Sequence, residues 1–111
     1  MTHAARLRRS TDIAAVRAEG RSLRKAAFNV RARRTDELTS RLAVTAPRTV
    51  GTAVKRNRAR RRVREAFRRG FASAAPGRSI DLLITVRPEA ASADFPAIEA
   101  DVRALLVDLA R

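Results

Sequence analysis

Between positions 55 and 69, nine of fifteen side chains are Lys or Arg, and Glu65 is the only acid. At helical spacing Ala59, Val63, Ala66, Phe67 and Gly70 fall on one narrow side, and Arg58, Arg61, Arg62, Arg64, Arg68 and Arg69 spread over the rest. A solvated charged helix normally mixes signs. This one does not, so the chemistry it offers is polyanion binding. Guanidinium pairs with phosphate through a planar fork, and its charge does not titrate away near neutral pH.

Other chemistries lack candidates. The chain has no cysteine, hence no disulfide, thiol nucleophile or thiolate metal site, and His3 is its sole histidine. The eleven acids are scattered, and Asp36-Glu37 reads as a solvated turn, so no carboxylate set converges for metal-assisted hydrolysis. No apolar run approaches a membrane span and no signal-peptide core is present, which makes the cytosol the default compartment.

The exact string carries more than charge. Gly51-Thr52-Ala53-Val54-Lys55-Arg56-Asn57-Arg58-Ala59-Arg60-Arg61, followed by Arg64, Ala66 and Phe67, resembles the signature of the protein subunit of bacterial ribonuclease P. The resemblance follows the whole chain in element order, with its specific residues between Gly51 and Phe67. It implies a subunit that binds a catalytic RNA and the 5′ leader of precursor tRNA, and assists endonucleolytic removal of that leader. The active site and its Mg2+ ions then belong to the RNA, and no protein partner is implied. The implied RNA-binding set is Lys55, Arg56, Asn57, Arg58, Arg60, Arg61, Arg64 and Arg68. The implied leader cleft lies between the first helix, the sheet and the basic helix, with Ile13, Arg17, Asn29 and Arg31 in it and Arg56 and Arg60 facing it. Asn57 could bond RNA or a turn of its own fold. Positions matching Ile13, Arg17 and Arg31 are usually aromatic in that family. This chain therefore forgoes stacking worth about 1–3 kcal/mol per base and must rely on arginine. The alternative is a small basic ribosomal or other structural RNA-binding protein without processing activity, for which the Gly51 to Phe67 spacing has no reason.

These residues must be positioned by a modest fold. One hundred and eleven residues with 45% hydrophobic content suit a single domain with one core, aliphatic because it has four Phe and neither Tyr nor Trp. Residues 1–79 hold 22 cations against 5 acids, whereas residues 80–111 hold 3 against 6, so the last third reads as scaffold.

Residues 1–9 form a short basic arm, expected to be mobile. Ser10 is a candidate N-cap for a helix over 11–19, with Asp12 in its first turn, Ile13 and Val16 on one side, and Gly20 as its stop. A brief extended segment fits residues 21–25. Residues 28–33 alternate, with Phe28, Val30 and Ala32 toward the core, and residues 41–46 read as the antiparallel partner, ended by Pro47. Thr52 caps the basic helix, which runs to about Arg69 with Gly70 as its end. Pro76-Gly77 is a turn. Residues 79–87 form a strand with Ile80, Leu82, Ile84 and Val86 on one face and Leu83 on the other, the mark of an interior strand. Asp94 opens a last helix with the stripe Ile98, Val102, Leu105, Leu106 and Leu109. The order α-β-β-β-α-β-α is that of a two-layer α+β sandwich. The basic helix is its crossover, left-handed if the resemblance is followed and right-handed by the general rule.

Overall fold

The most apolar strand lies at the centre of the sheet. The structure, a computed structural model, describes residues 5–74 and 77–110. In chain order it contains β1 (Ala5–Arg6), α1 (Ser10–Glu19), β2 (Arg21–Arg24), β3 (Phe28–Arg34), β4 (Arg41–Thr45), α2 (Ala53–Ala74), β5 (Ile80–Val86) and α3 (Phe95–Leu109), with 3-10 turns at Arg48–Val50 and Pro88–Ala91. Residues 1–4 of the expected arm, including His3, and Pro76 of the expected turn lie outside the described residues.

The five strands are ordered β1-β4-β5-β3-β2. β5 pairs parallel with β4, Leu42 opposite Leu82 and Val44 opposite Ile84, and antiparallel with β3, Val30 opposite Ile84. Nearly every β5 residue is buried, Leu83 included, as its two apolar faces require. The expected direct pairing of residues 28–33 with 41–46 is therefore not made. β5 stands between them, because at the centre α1 covers one of its apolar faces and α2 with α3 covers the other, while both of its backbone edges are paired. With β4 and β5 parallel neighbours, α2 is the connection between them.

The main core lies between one sheet face and the helices α2 and α3. Phe28, Val30, Leu42, Val44, Leu82 and Ile84 meet Val63, Phe67 and Phe71 from α2 and Ile98, Val102, Leu105 and Leu106 from α3. Phe28 and Phe67 pack edge to face with ring centroids 5.3 Å apart. α1 lies on the opposite face, where Val16 closes over Leu83 and Leu7.

Three local expectations are corrected. The arm is tied down from Ala5 onward. Ala5 and Leu7 donate backbone N–H bonds to Ser40 and Leu42 (both 2.8 Å), and Leu7 is buried. The free edge of β4 supplied the partners, and Leu7 supplied the apolar anchor. Ser10 does not cap α1. It is the first helical residue, Arg9 holds the cap position with no side-chain bond, and Asp12 turns instead to Arg41 Nη1 at 3.1 Å.

Gly70 does not end α2, which continues to Ala74 with Phe71 fully buried. At Gly70 α2 lies directly against α3. A Cβ there would stand 2.8 Å from Val102 Cγ1 and 3.1 Å from Leu106 Cδ1. The start of α2 is as expected, with Thr52 Oγ1 accepting the Lys55 N–H at 3.3 Å. Gly51 precedes it at φ 133°, a conformation that side chains rarely tolerate.

Gly70→Val is expected to destabilise the fold by about 1–3 kcal/mol through overpacking, although valine forms helix more readily than glycine. Urea unfolding checks this. Equal or higher stability would mean that α2 and α3 can separate here at no loss.

Candidate nucleic-acid interface

The cations of α2 sort by helical position into three groups. On the side facing α3 they are spent within the fold. Arg58 Nε donates to the Ala91 carbonyl at 3.0 Å. Arg62 donates to the Ala90 carbonyl at 2.8 Å and also to that of Ala93. Arg69 lies 3.3 Å from Glu99 and 5.1 Å from the centre of the Phe95 ring. The Arg58 and Arg62 bonds satisfy the Ala90 and Ala91 carbonyls at the end of the short Pro88–Ala91 turn and the Ala93 carbonyl just beyond it.

On the outward side stand Asn57, Arg61 and Arg68. Arg68 is paired with Glu65 at 2.5 Å, which holds the Glu65 carboxyl below its ordinary range. Asn57 Oδ1 accepts from Arg60 Nη2 at 2.6 Å, so of the two roles expected for it, its bond in this structure is to its own helix.

The third group, on the flank toward β4 and β1, is Arg56, Arg60 and Arg64 at i, i+4 and i+8. Among the described residues none of the three has a carboxylate partner, and Arg56 Nε is buried without any hydrogen bond. The Arg64 guanidinium is held below its ordinary pKa, first by partial burial and then by the charges of Arg6 and Arg60. Lys55 is exposed at the start of the helix, where its stem covers Gly51.

A second basic surface lies on the opposite face of the sheet. A groove of about 560 Å³ runs between α1 and strands β2, β3 and β5, lined by Arg17, Ser22, Leu23, Arg24, Asn29, Val30, Arg31, Leu83 and Thr85. It brings Arg17, Asn29 and Arg31 together. Ile13 is not among its lining residues. It packs on the Leu7–Val16–Leu83 cluster and edges a neighbouring hollow that shares Arg17. No lining residue comes from α2, so the basic helix is not the third wall of this groove and Arg56 and Arg60 do not face into it. The physical reason is that α1 and α2 pack on opposite faces of the sheet.

Arg31 is also less available than its type suggests. Its guanidinium donates to the Gly20 carbonyl and to Ser22 Oγ, each at 2.7 Å, and so takes the partial negative charge at the end of α1. Arg24 was missed, although it stands directly opposite Asn29 in the β2–β3 ladder. The weak alternation of residues 21–24 hid that pairing.

The acids are placed to hold the fold. Asp81, fully buried on β5, accepts from Arg41 at 2.7 and 2.9 Å, and Arg41 also reaches Asp12 on α1. These contacts, with the Asp81 hydrogen bond first, raise the Arg41 pKa further above its ordinary value. Glu19 pairs with Arg33 at 2.6 Å. Among the described residues no three His, Cys, Asp or Glu side chains come together as metal ligands.

The α+β sandwich and its arginine-bearing crossover helix define a small basic protein suited to a polyanionic partner. A family model described as Ribonuclease P matches residues 1–110. Ribonuclease P protein components of Chloroflexus aurantiacus and Chloroflexus aggregans are 39% and 41% identical to this chain, each match covering 96% of it and 78% of the relative. The solved structure of the RNase P protein from Thermotoga maritima is 31% identical, with a TM-score of 0.77 over 91% of this chain and 94% of that one. The chain belongs to the ribonuclease P protein family, whose members are components of a tRNA-processing ribonucleoprotein. The alternative of a ribosomal or purely structural RNA-binding protein is not favoured. No helix among the described residues is long and apolar enough to cross a membrane.

Arg62→Met keeps the aliphatic stem and leaves two carbonyls without their donor. It is expected to cost about 1–3 kcal/mol of stability, against no more than about 0.5 kcal/mol for Arg61→Met. Parallel denaturant titrations test the difference. Equal effects would show that the Arg62 bonds contribute nothing.

Proposed function

We propose that the chain acts as a ribonuclease P protein component in the cytoplasm. It binds the catalytic RNA through the flank and outward side of α2 and holds the 5′ leader of precursor tRNA in the groove between α1 and the sheet. The observation that carries this reading is the set Arg56, Arg60, Arg61 and Arg64, which have no acidic partner among the described residues although acids elsewhere are matched with arginines. Repulsion along that flank costs stability in the free protein and is relieved by phosphate. Lys55 and Arg68 extend the RNA surface, Asn57 holds the Arg60 fork in place, and Arg58 contributes with the part of its guanidinium not bonded to Ala91.

In the groove Arg17 and Arg24 meet leader phosphates, Asn29 offers an amide to base edges, and Arg31 sets the wall by anchoring the end of α1. Ile13 bounds the entrance beside Arg17. Phosphodiester hydrolysis and its Mg2+ ions are assigned to the RNA. The protein lowers the Mg2+ requirement by screening phosphate repulsion, and favours precursor over mature tRNA because only the precursor has a leader to hold.

Arg60→Ala combined with Arg64→Ala is expected to flatten the dependence of log K on log salt for the catalytic RNA by about 1–2 units. An unchanged slope at wild-type affinity would remove α2 from the interface. Arg17→Ala with Arg24→Ala should leave assembly with the catalytic RNA intact and weaken precursor tRNA binding by the holoenzyme about tenfold, with mature tRNA unaffected. Equal weakening of both tRNAs would take the leader out of the groove.

A further inference from the structure

We infer that β1 and α2 together form a composite phosphate site, in which Arg6 joins Arg60 and Arg64 in gripping the RNA backbone. The inference rests on the reading of α2 as an RNA-binding helix and adds a residue from a different element. Its geometry follows from sheet register. Arg6 is the direct partner of Leu42 in the parallel β1–β4 ladder. Residues directly opposite in a ladder point to the same face, and Leu42 faces the core beneath α2. Arg6 therefore projects on the α2 side of the sheet edge, while Leu7, the next residue, points to the other side and is buried under α1. Arg60 and Arg64 lie one turn apart on α2, which packs on this same face of the sheet and meets β4, the neighbour of β1.

The electrostatics agree. The charges of Arg6 and Arg60 both act on Arg64. Among the described residues, no ion pair or hydrogen bond to an acid involves Arg6, Arg60 or Arg64. Glu65, the only acid within residues 55–69, points away toward Arg68 and Arg69. Asn57 fixes Arg60 from the outer side without neutralising it. Three guanidinium groups from two elements, with Arg64 repelled by both others and Arg60 braced, make an anion grip rather than an internal salt-bridge network. The ligand is the phosphodiester backbone of the catalytic RNA. Pairing of residues 5–7 with β4 holds Arg6 in place, so its contact does not have to order a loose tail.

The test uses the full chain and in vitro transcribed ribonuclease P RNA. Arg6→Gln should lower the salt slope of binding by about one unit, as should Arg64→Ala, with Arg103→Ala on α3 as an unaffected control. Arg6→Glu puts a carboxylate among the remaining arginines. Relative to Arg6→Gln, it should raise the Tm of the free protein and weaken RNA binding further, so that stability and affinity move in opposite directions. If Arg6→Gln binds like wild type while Arg64→Ala does not, the composite site is wrong and the reading of α2 stands. If neither changes the slope, both fall. A Tm for Arg6→Glu no higher than that for Arg6→Gln would show that Arg6 does not share a site with Arg60 and Arg64, and would overturn the inference.

Discussion

Nine cations share about four turns of one helix with a single carboxylate, and their repulsion is the constraint under which α2 must pack. The solution is geometric. A thin stripe of Ala59, Val63, Ala66, Phe67, Gly70 and Phe71 meets the sheet and α3, so little of the helix surface is needed to attach it. The side facing α3 then discharges Arg58, Arg62 and Arg69 onto backbone carbonyls, Glu99 and an aromatic ring. Hydrogen bonds from a charged donor to a carbonyl that would otherwise go unmet are among the stronger ones available. What remains, on the other flank, is a row of arginines with no acidic partner among the described residues. One helix thus closes the core and displays its charge, with the boundary between the two tasks set by its 3.6-residue period.

The sheet depends on a different pairing. Asp81 is fully buried in the central strand, and Arg41, its register partner on β4, answers it with two hydrogen bonds. A buried carboxylate left alone would be severely destabilising, so β4 has little freedom to slip against β5. Because Arg41 also binds Asp12, the same pair draws α1 onto the second face of the sheet. That placement makes one wall of the groove containing Arg17 and Arg24, and separates it from the arginine flank of α2. The molecule therefore presents two basic surfaces on opposite faces.

Much of this was readable from residue pattern because the signals were local. The alternation of Ile80, Leu82, Ile84 and Val86 with Leu83 between them specified an interior strand, and the stripe from Ile98 to Leu109 specified the buried face of α3. Thr52 marked the start of α2 through cap chemistry. The misses involved information that a local pattern does not hold. Residues 41–45 alternate in the same way whether their neighbour is β3 or β5, and only the need to bury both faces of β5 decides. Gly70 is equally suited to ending a helix and to admitting a neighbouring one, and the partner residues Val102 and Leu106 lie some thirty positions away. Ala5 and Arg6 carry no strand signal of their own, since two residues are too few to show a period. The family resemblance pointed to Arg31 in the groove but could not show that its guanidinium bonds the end of α1.

The central claim is that the arginines of α2 are divided by face, with Arg62 and Arg69 holding the fold and Arg56, Arg60, Arg61 and Arg64 meeting RNA. Dicarbonyl modification of arginine, read residue by residue by mass spectrometry with and without the catalytic RNA, tests it most directly. The account predicts that RNA protects Arg56, Arg60, Arg61 and Arg64, and leaves the reactivity of Arg62 and Arg69 unchanged because their environment is already set within the protein. Protection centred on Arg62 and Arg69, or spread evenly around the helix, would contradict it.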